Sequence, residues 1–209
     1  MLTFFIRTQQ SVEFLMSGEF NLIEKYFVGR QQQRKDVLLA AGDDCALVQV
    51  PQGLSVAIST DTLVAGTHFL PDANPAWVAH KALASNISDL AAMGATPAWV
   101  SFALTMPEPD EAWLAPFCDA FFKLADYFGI QLIGGDTTKG PLSLTLTVQG
   151  LVAPEKALRR EGANVGDWIY VTGDLGDSKA GLDVILNREL DSKPFASELE
   201  QRHYLSTPR

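Results

Sequence analysis

Residues 74–106 read NPAWVAHKALASNISDLAAMGATPAWVSFALTM, and this stretch decides the fold. Its first part predicts a long helix over 74–93, because Asn74 can cap a helix start and Pro75 suits the first turn. Gly94 is a typical helix end. Residues 99–106 are almost continuously apolar, which is typical of a strand covered on both faces. The stretch therefore predicts a core in which helices pack on a sheet.

Further elements extend outward from this unit in both directions. A strictly alternating segment, LSLTLTV at 142–148, predicts a strand with one apolar and one polar face. Pro109-Asp110 predicts the start of another helix. The remaining predicted elements are strands at 44–50, 54–60, 131–133 and 168–172 and helices at 19–27 and 178–186. Together they indicate an α+β fold, with a mixed sheet and flanking helices.

The composition excludes several classes of protein. The 209 residues carry a net charge of −9, and no basic stripe is present, which argues against nonspecific nucleic-acid binding. Cys45 and Cys118 lie far apart without a CxxC spacing, which predicts a reducing compartment with no disulfide framework. The apolar start at 2–6 is too short for a signal peptide, and no run approaches a membrane span. We therefore expect a cytoplasmic protein.

Four short acidic segments stand out, at 42–44 (GDD), 59–61 (STD), 88–89 (SD) and 134–138 (GGDTT). Each is expected where a strand or helix gives way to a loop. Carboxylate and hydroxyl oxygens suit Mg²⁺, and the neighbouring glycines let a phosphate approach the backbone. Any single segment is better explained as a turn or a cap, whereas the four together favour a metal site. Asp89 is harder to explain in this way, because it is expected among apolar residues of a helix, where an unpaired carboxylate is costly.

The common phosphate-binding motifs are absent. The sequence contains no GxxxxGK[ST] motif, since Lys139 lacks the required spacing, and the protein-kinase motifs are also missing. An ATP-dependent enzyme with this sequence would therefore belong to neither of these large classes.

Five longer segments carry a specific family resemblance. They cover most of residues 18–186, and they read GDDCALVQV (42–50), AISTDTLVAGTHFLPD (57–72), KALASNISDLAAMGATPAW (81–99), QLIGGDTTKGPLSLT (131–145) and GDWIYVTGDLGDSKAGL (166–182). In this order they resemble the thiamine-monophosphate kinase family. That family belongs to the superfamily of aminoimidazole ribonucleotide synthetase and selenophosphate synthetase, whose members pair an ATP-binding N-terminal domain with a C-terminal domain.

The resemblance implies an activity and a set of site residues. It implies transfer of the ATP γ-phosphate to thiamine monophosphate, giving thiamine diphosphate, with several Mg²⁺ ions bridging the phosphates. No side chain is assigned as catalytic, because positioning and charge stabilisation dominate such transfers. The implied metal ligands are Asp44, Ser59, Thr60, Asp61, Asp89 and Asp136; the implied nucleotide contacts are Gly135, Asp136 and Arg160; the implied substrate contact is His68.

Two of these assignments have alternatives that the sequence leaves open. His68 could be an ordinary hydrogen-bonded loop histidine rather than a substrate contact. The role given to Arg160 could belong to its neighbour Arg159, or either could be a solvated charge.

The resemblance also implies how the chain is organised. Residues 1–16 are expected to be an extension or a misassigned start, 17–152 the ATP- and Mg²⁺-binding domain, and 153–209 the beginning of an incomplete C-terminal domain. Kinase activity of this chain is therefore expected to be impaired. In this superfamily the sheet of a second subunit covers the open sheet face, so a homodimer is expected, with Phe102 as a probe of the seam. The alternatives are a non-catalytic homologue that binds Mg-ATP and another ATP-using member of the superfamily.

Overall fold

The computed structural model describes residues 22–190 and 192–209. The N-terminal extension expected at 1–16 and the start of the helix expected at 19–27 lie outside these residues. The described part of that helix, α1, comprises residues 22–26. The other elements are β1 (Val37–Leu39), β2 (Leu47–Val48), β3 (Ser55–Val64), α2 (Pro75–Ala92), β4 (Thr96–Met106), α3 (Glu111–Phe128), β5 (Gln131–Lys139), β6 (Ser143–Val152), α4 (Asp177–Leu186) and α5 (Ala196–Tyr204), with short 3₁₀ turns at Pro154–Lys156 and Arg188–Leu190.

A four-stranded mixed sheet forms the centre of the molecule. Its strand order is β3-β6-β4-β5, and β1 and β2 form a separate antiparallel pair. The β3–β6 and β6–β4 pairs are antiparallel, whereas β4 and β5 run parallel. The expected α+β class, with a mixed sheet and flanking helices, is confirmed.

α2 begins and ends where its sequence predicts, and α3 begins where its sequence predicts. The Asn74 side chain accepts a hydrogen bond from the Ala76 N–H at 2.9 Å, and Pro75 occupies the first turn of α2. The Asp110 side chain likewise accepts from the first N–H groups of α3. Gly94 and Gly129 follow the two helices with φ of +66° and +63°, a conformation that glycine adopts at little cost.

One face of the sheet packs against α2 and α3 and forms the main core. Leu144, Leu146 and Val148 of β6 are buried there, together with alternate residues of β4. The Phe102 ring lies 5.6 Å from that of Phe117 and is stacked on it. Phe102 therefore faces the helices, and its expected role as a probe of an intersubunit seam is wrong.

The opposite face of the sheet is open over most of its area. Hydrogen bonds of 2.9 Å join Thr60 to Thr147 and Thr62 to Thr145 across β3 and β6 on this face. At one end a small cluster around Trp99 covers the sheet. Along β4 the open-face residues are Ser101, Ala103 and Thr105, which are only partly buried. The prediction that 99–106 is covered on both faces is wrong within one chain, because these small side chains made the run look uniformly apolar.

Several predicted strands have different bounds, and pairing explains each difference. β5 runs through Gly134 and Gly135 to Lys139 because its parallel partner β4 continues alongside it to Met106. β3 likewise continues past residues 59–61, paired with β6 throughout. Of the strand predicted at 44–50, only β2 forms, and it pairs with β1 rather than β3.

The strand predicted at 168–172 is absent. This segment has no regular structure, and Trp168 and Ile169 are 84% and 95% exposed. Within residues 22–190 and 192–209, no strand lies beside it to accept its backbone hydrogen bonds. In the same part of the chain, no helix is both long and apolar enough to cross a membrane.

Candidate functional site

The acidic segments of β3 and β5 lie at opposite edges of the central sheet. The strand registers place Asp61, Leu146, Phe102 and Gly135 in one row across all four strands. Neighbouring strands lie about 4.8 Å apart, so the two ends of this row are separated by roughly 14 Å. Of the four acidic segments only 42–44 lies in a loop, whereas 59–61, 88–89 and 134–138 lie within β3, α2 and β5. The expectation that all four acidic segments lie where an element gives way to a loop is therefore wrong.

At the β3 edge the structure brings two of the predicted ligands together. The Ser59 hydroxyl donates a hydrogen bond of 2.5 Å to Asp89 Oδ2, which joins β3 to α2. Strand alternation puts Asp61 on the same face as Ser59, whereas Thr60 lies on the open face with Thr147. Ser59, Asp61 and Asp89 are called the β3-edge group below.

Asp89 does not carry the desolvation cost expected from its apolar neighbours. Ile87 and Leu90 are buried in the core, but the helical rotation places Asp89 on the exposed side of α2. An exposed carboxylate next to a serine hydroxyl is accessible to a hydrated cation.

At the β5 edge lies a cavity of about 640 Å³, called the β5-edge cavity below. Its volume falls within the usual range for small-molecule sites. Its lining mixes apolar side chains with carboxylates and glycine; it includes Ile23, Phe27, Phe102, Leu104 and Leu132 together with Asp43, Asp44, Gly135 and Asp136. Asp44, Gly135 and Asp136 therefore lie at one site. The apolar lining from α1 was not predicted.

Gly135 holds β5 unusually close to β4. A Cβ atom at this position would lie 1.9 Å from the Phe102 carbonyl oxygen, whereas one at Gly134 would have no neighbour within 4 Å. The cavity wall at this point therefore requires a residue without a side chain.

His68 lies on the turn that directly follows β3. Its Nδ1 accepts a hydrogen bond from the Val64 N–H at 3.0 Å, and the turn is closed by the Gly66 N–H and the Phe69 carbonyl at 2.8 Å. An accepting Nδ1 places the proton of the neutral ring on Nε2. The side chain is thus a hydrogen-bonded loop histidine whose Nε2–H can also serve as a donor to a ligand.

Arg159 and Arg160 lie in an exposed, irregular segment beyond β6. The Leu158 N–H donates to the Met93 carbonyl at 3.0 Å, which ties this segment to the end of α2. The structure thus leaves both arginines near the helix that carries Asp89, and the choice between them remains open.

The predicted ligands do not form a preassembled cage. Among the described residues, no group of three or more histidine, cysteine, aspartate or glutamate side chains is arranged to hold a metal ion. The donor set, made of carboxylates and hydroxyls, nevertheless suits Mg²⁺, which normally retains water and shares phosphate oxygens. The metal assignment stays a prediction.

The two cysteines differ sharply in environment. Cys45 is exposed and lines the β5-edge cavity, whereas burial raises the pKa of the Cys118 thiol to about 12. Because the thiolate is the reactive form, only Cys45 is expected to react with thiol reagents near neutral pH.

Comparison with known proteins defines the class. Residues 42–152 match the N-terminal domain of the AIR synthase related protein family. This match covers β2 through β6 and includes the open sheet face and both long helices. The chain belongs to the AIR synthase related protein family.

Within that class the chain is similar to thiamine-monophosphate kinases, which confirms the resemblance found from the sequence. It is 56% identical to the Escherichia coli K12 protein of that name over 193 residues, which cover 92% of this chain and 59% of the relative. The crystal structure of the Stenotrophomonas maltophilia protein of that name matches with a TM-score of 0.83 and 43% identity, covering 91% of this chain and 62% of that one. The structure described as AaThiL complexed with AMPPCP and TMP matches with a TM-score of 0.71 and 30% identity, covering 99% of this chain and 63% of that one. The chain spans about three fifths of the length of these relatives.

Proposed function

We propose that this chain is the Mg-ATP-binding part of an enzyme that phosphorylates thiamine monophosphate to thiamine diphosphate. The observation that carries the proposal is the β5-edge cavity, where the GDD loop and the GGD strand contribute Asp44, Gly135 and Asp136 to one partly apolar site. The names of the relatives, and a related structure that holds AMPPCP and TMP, support this choice of ligands.

We also propose the domain organisation that the family resemblance implies. Residues 17–152 form the nucleotide-binding domain, and 153–209 begin the second domain. Two free cysteines support a reducing compartment, and we place the protein in the cytoplasm.

Several Mg²⁺ ions fit the geometry better than one. Mg²⁺ binds oxygen at about 2.1 Å, so one ion cannot contact ligands at two sheet edges that lie roughly 14 Å apart. We assign Asp44 and Asp136 to ions at the β5-edge cavity, and the β3-edge group to ions at the other edge. The Thr60 hydroxyl, which bonds to Thr147 on the open face, lies apart from this group. Bound there, the ions would neutralise phosphate charge. Gly135 would give backbone access to the nucleotide, Arg160 would contact it, and the His68 Nε2–H would contact the substrate.

Nucleotide binding is expected to protect Cys45 from alkylation. Cys45 should label at least a hundredfold faster than Cys118 at pH 8, because the Cys118 pKa of about 12 leaves almost no thiolate. At ten times its Kd, Mg-AMPPCP should slow Cys45 labelling about tenfold, and EDTA should remove this protection. Mass spectrometry of labelled peptides measures both rates.

Cys45→Ser serves as the control, since it should remove all labelling of the native chain. Unchanged labelling of Cys45 under saturating Mg-AMPPCP would contradict the cavity assignment.

An assay of thiamine diphosphate formed from ATP, Mg²⁺ and thiamine monophosphate then tests catalysis. Because the chain spans about three fifths of the length of its relatives, we expect slow turnover, since positioning contacts can be worth roughly 7–11 kcal/mol of a barrier. Protection without any product would favour the non-catalytic alternative.

We further propose that the open sheet face pairs with its equivalent in a second copy. This face carries Ile58, which is 66% exposed, beside the threonine ladder of β3 and β6. A single face that meets itself across a two-fold axis satisfies the requirement of a symmetric dimer.

Ile58→Asp is expected to give a folded monomer. A charge on the open face would be desolvated in the dimer but hydrated in the monomer, so the dimer Kd should rise at least tenfold. Analytical ultracentrifugation at micromolar concentration measures the change. Tyr127→Asp is the matched control, because Tyr127 is 77% exposed on α3, away from this face, and this variant should remain dimeric. A monomeric parent chain would refute the dimer.

A further inference from the structure

Lys81 of α2 is a half-buried ammonium group whose contacts are uncharged. Its Nζ donates to the His68 carbonyl oxygen at 2.9 Å, lies 2.8 Å from His203 Nε2, and sits over the Tyr204 ring at 5.2 Å. Burial lowers its pKa, and among residues 22–190 and 192–209 no carboxylate forms an ion pair with it. A half-buried cation without a counter-charge carries a desolvation cost, and such groups are enriched at functional sites.

His203 is fixed as an acceptor for this lysine. Its Nδ1 lies 2.9 Å from the Ser178 carbonyl oxygen, an arrangement in which Nδ1–H donates and Nε2 is left to accept. Burial lowers the pKa of His203, which favours the neutral ring that this tautomer requires. The Lys81 ammonium is therefore anchored on one side by α4 and α5.

On its other side Lys81 is bound to the turn that carries His68. The carbonyl of His68 accepts from Lys81 while its imidazole accepts from the Val64 N–H, so both ends of the residue are held. Moving Lys81 would shift the backbone of the turn, and with it the direction of the Nε2–H.

We infer that Lys81 is a positioning residue: it joins the His68 turn to His203 of α5 and thereby fixes the imidazole that meets the phosphorylated substrate. The substrate part of this inference rests on the proposed function. In this arrangement α5, which lies outside the matched family domain, helps to orient His68 on the turn after β3.

The chain contains three histidines, His68, His80 and His203, so the imidazole Cε1–H signals in a ¹H–¹³C spectrum number three. Lys81→Met should shift the His68 and His203 signals and leave His80 unchanged. Amide hydrogen exchange in residues 66–69 should rise on the order of tenfold, as expected for loss of a charged hydrogen bond. Lys81→Arg should restore both signals. His80→Gln is the matched control on the same helix, since His80 contacts the Ser206 carbonyl instead.

Binding measurements separate a positioning role from a purely structural one. Lys81→Met should weaken thiamine monophosphate binding about tenfold and leave Mg-AMPPCP affinity unchanged, with recovery in Lys81→Arg. Unchanged His68 signals and exchange in Lys81→Met would overturn the inference, as would equal loss of affinity for both ligands. If the parent chain binds Mg-AMPPCP but no thiamine monophosphate, the substrate assignment of the proposed function fails, and the His68 signals then decide whether Lys81 holds the turn.

Discussion

Gly135→Ala is expected to destabilise the chain by about 3 kcal/mol or more. The new methyl group would lie 1.9 Å from the Phe102 carbonyl oxygen, and backbone atoms on two paired strands would have to separate. Because the clashing atom belongs to the backbone, no side-chain rotation can relieve the strain, and Phe102 is itself held by stacking on Phe117 and Phe121. For a chain of this size the melting temperature should fall by roughly 10 °C.

Gly134→Ala supplies the matched control one residue away. A Cβ there has no neighbour within 4 Å, so its effect should be neutral or slightly stabilising, by up to about 1 kcal/mol. Thermal unfolding followed by circular dichroism measures both variants. Equal melting temperatures would show that β4 and β5 are not held as closely as described. Because Gly135→Ala is expected to destabilise the fold, a loss of nucleotide binding in this variant would not by itself demonstrate a nucleotide contact.

The helices that frame the site were predictable because their signals are local. Asn74, Pro75 and Gly94 specify the start and end of α2 through hydrogen bonds and backbone angles within a few residues. The same holds for Asp110 at the start of α3. The family resemblance likewise depended on contiguous strings and was confirmed.

The arrangement of the acidic segments depended on strand order, which no local signal carries. The sequence predicts Ser59-Thr60-Asp61 at the end of a strand, yet the segment lies within β3 because β6 pairs along the whole length of that strand. The strand order β3-β6-β4-β5 then separates it from Asp136 at the other edge. Adjacent side chains of β3 also lie on opposite faces of the sheet, so that Ser59 bonds to Asp89 and Thr60 bonds to Thr147.

Contacts between distant parts of the chain were the least predictable. Lys81 and His203 are 122 positions apart, and α5 had no apolar pattern that marked it as a helix. The apolar run around Phe102 suggests a residue at the interface between two subunits, but the Phe102 ring faces Phe117 and Phe121. An aspartate there would place a charge in the core, so it would report on folding rather than on association.

Asp89→Asn is expected to weaken Mg-ATP binding about a hundredfold. Changes to groups that merely support metal ligands typically cost 10–100-fold in affinity, so removing the charge of a direct ligand should reach at least the upper end. The Asn side chain retains an oxygen that can accept the 2.5 Å hydrogen bond from Ser59, and position 89 is exposed. The free energy of unfolding should therefore change by less than about 0.5 kcal/mol. Relief of charge repulsion should add little stability, because the described residues hold no group of three or more carboxylates around one point.

Ser59→Ala distinguishes a direct ligand from a supporting contact at the β3 edge. It removes the hydroxyl but keeps the Asp89 charge, so its effect on Mg-ATP affinity should be nearer tenfold. Calorimetric titrations with Mg-AMPPCP for the parent, both single variants and the double variant form a cycle. If Ser59 and Asp89 hold one ion together, the two losses should be less than additive, because the second substitution acts on a site already weakened. Unchanged affinity in Asp89→Asn would remove this residue from the metal site and leave Asp44 and Asp136, at the β5-edge cavity, as the carboxylates on which nucleotide binding depends.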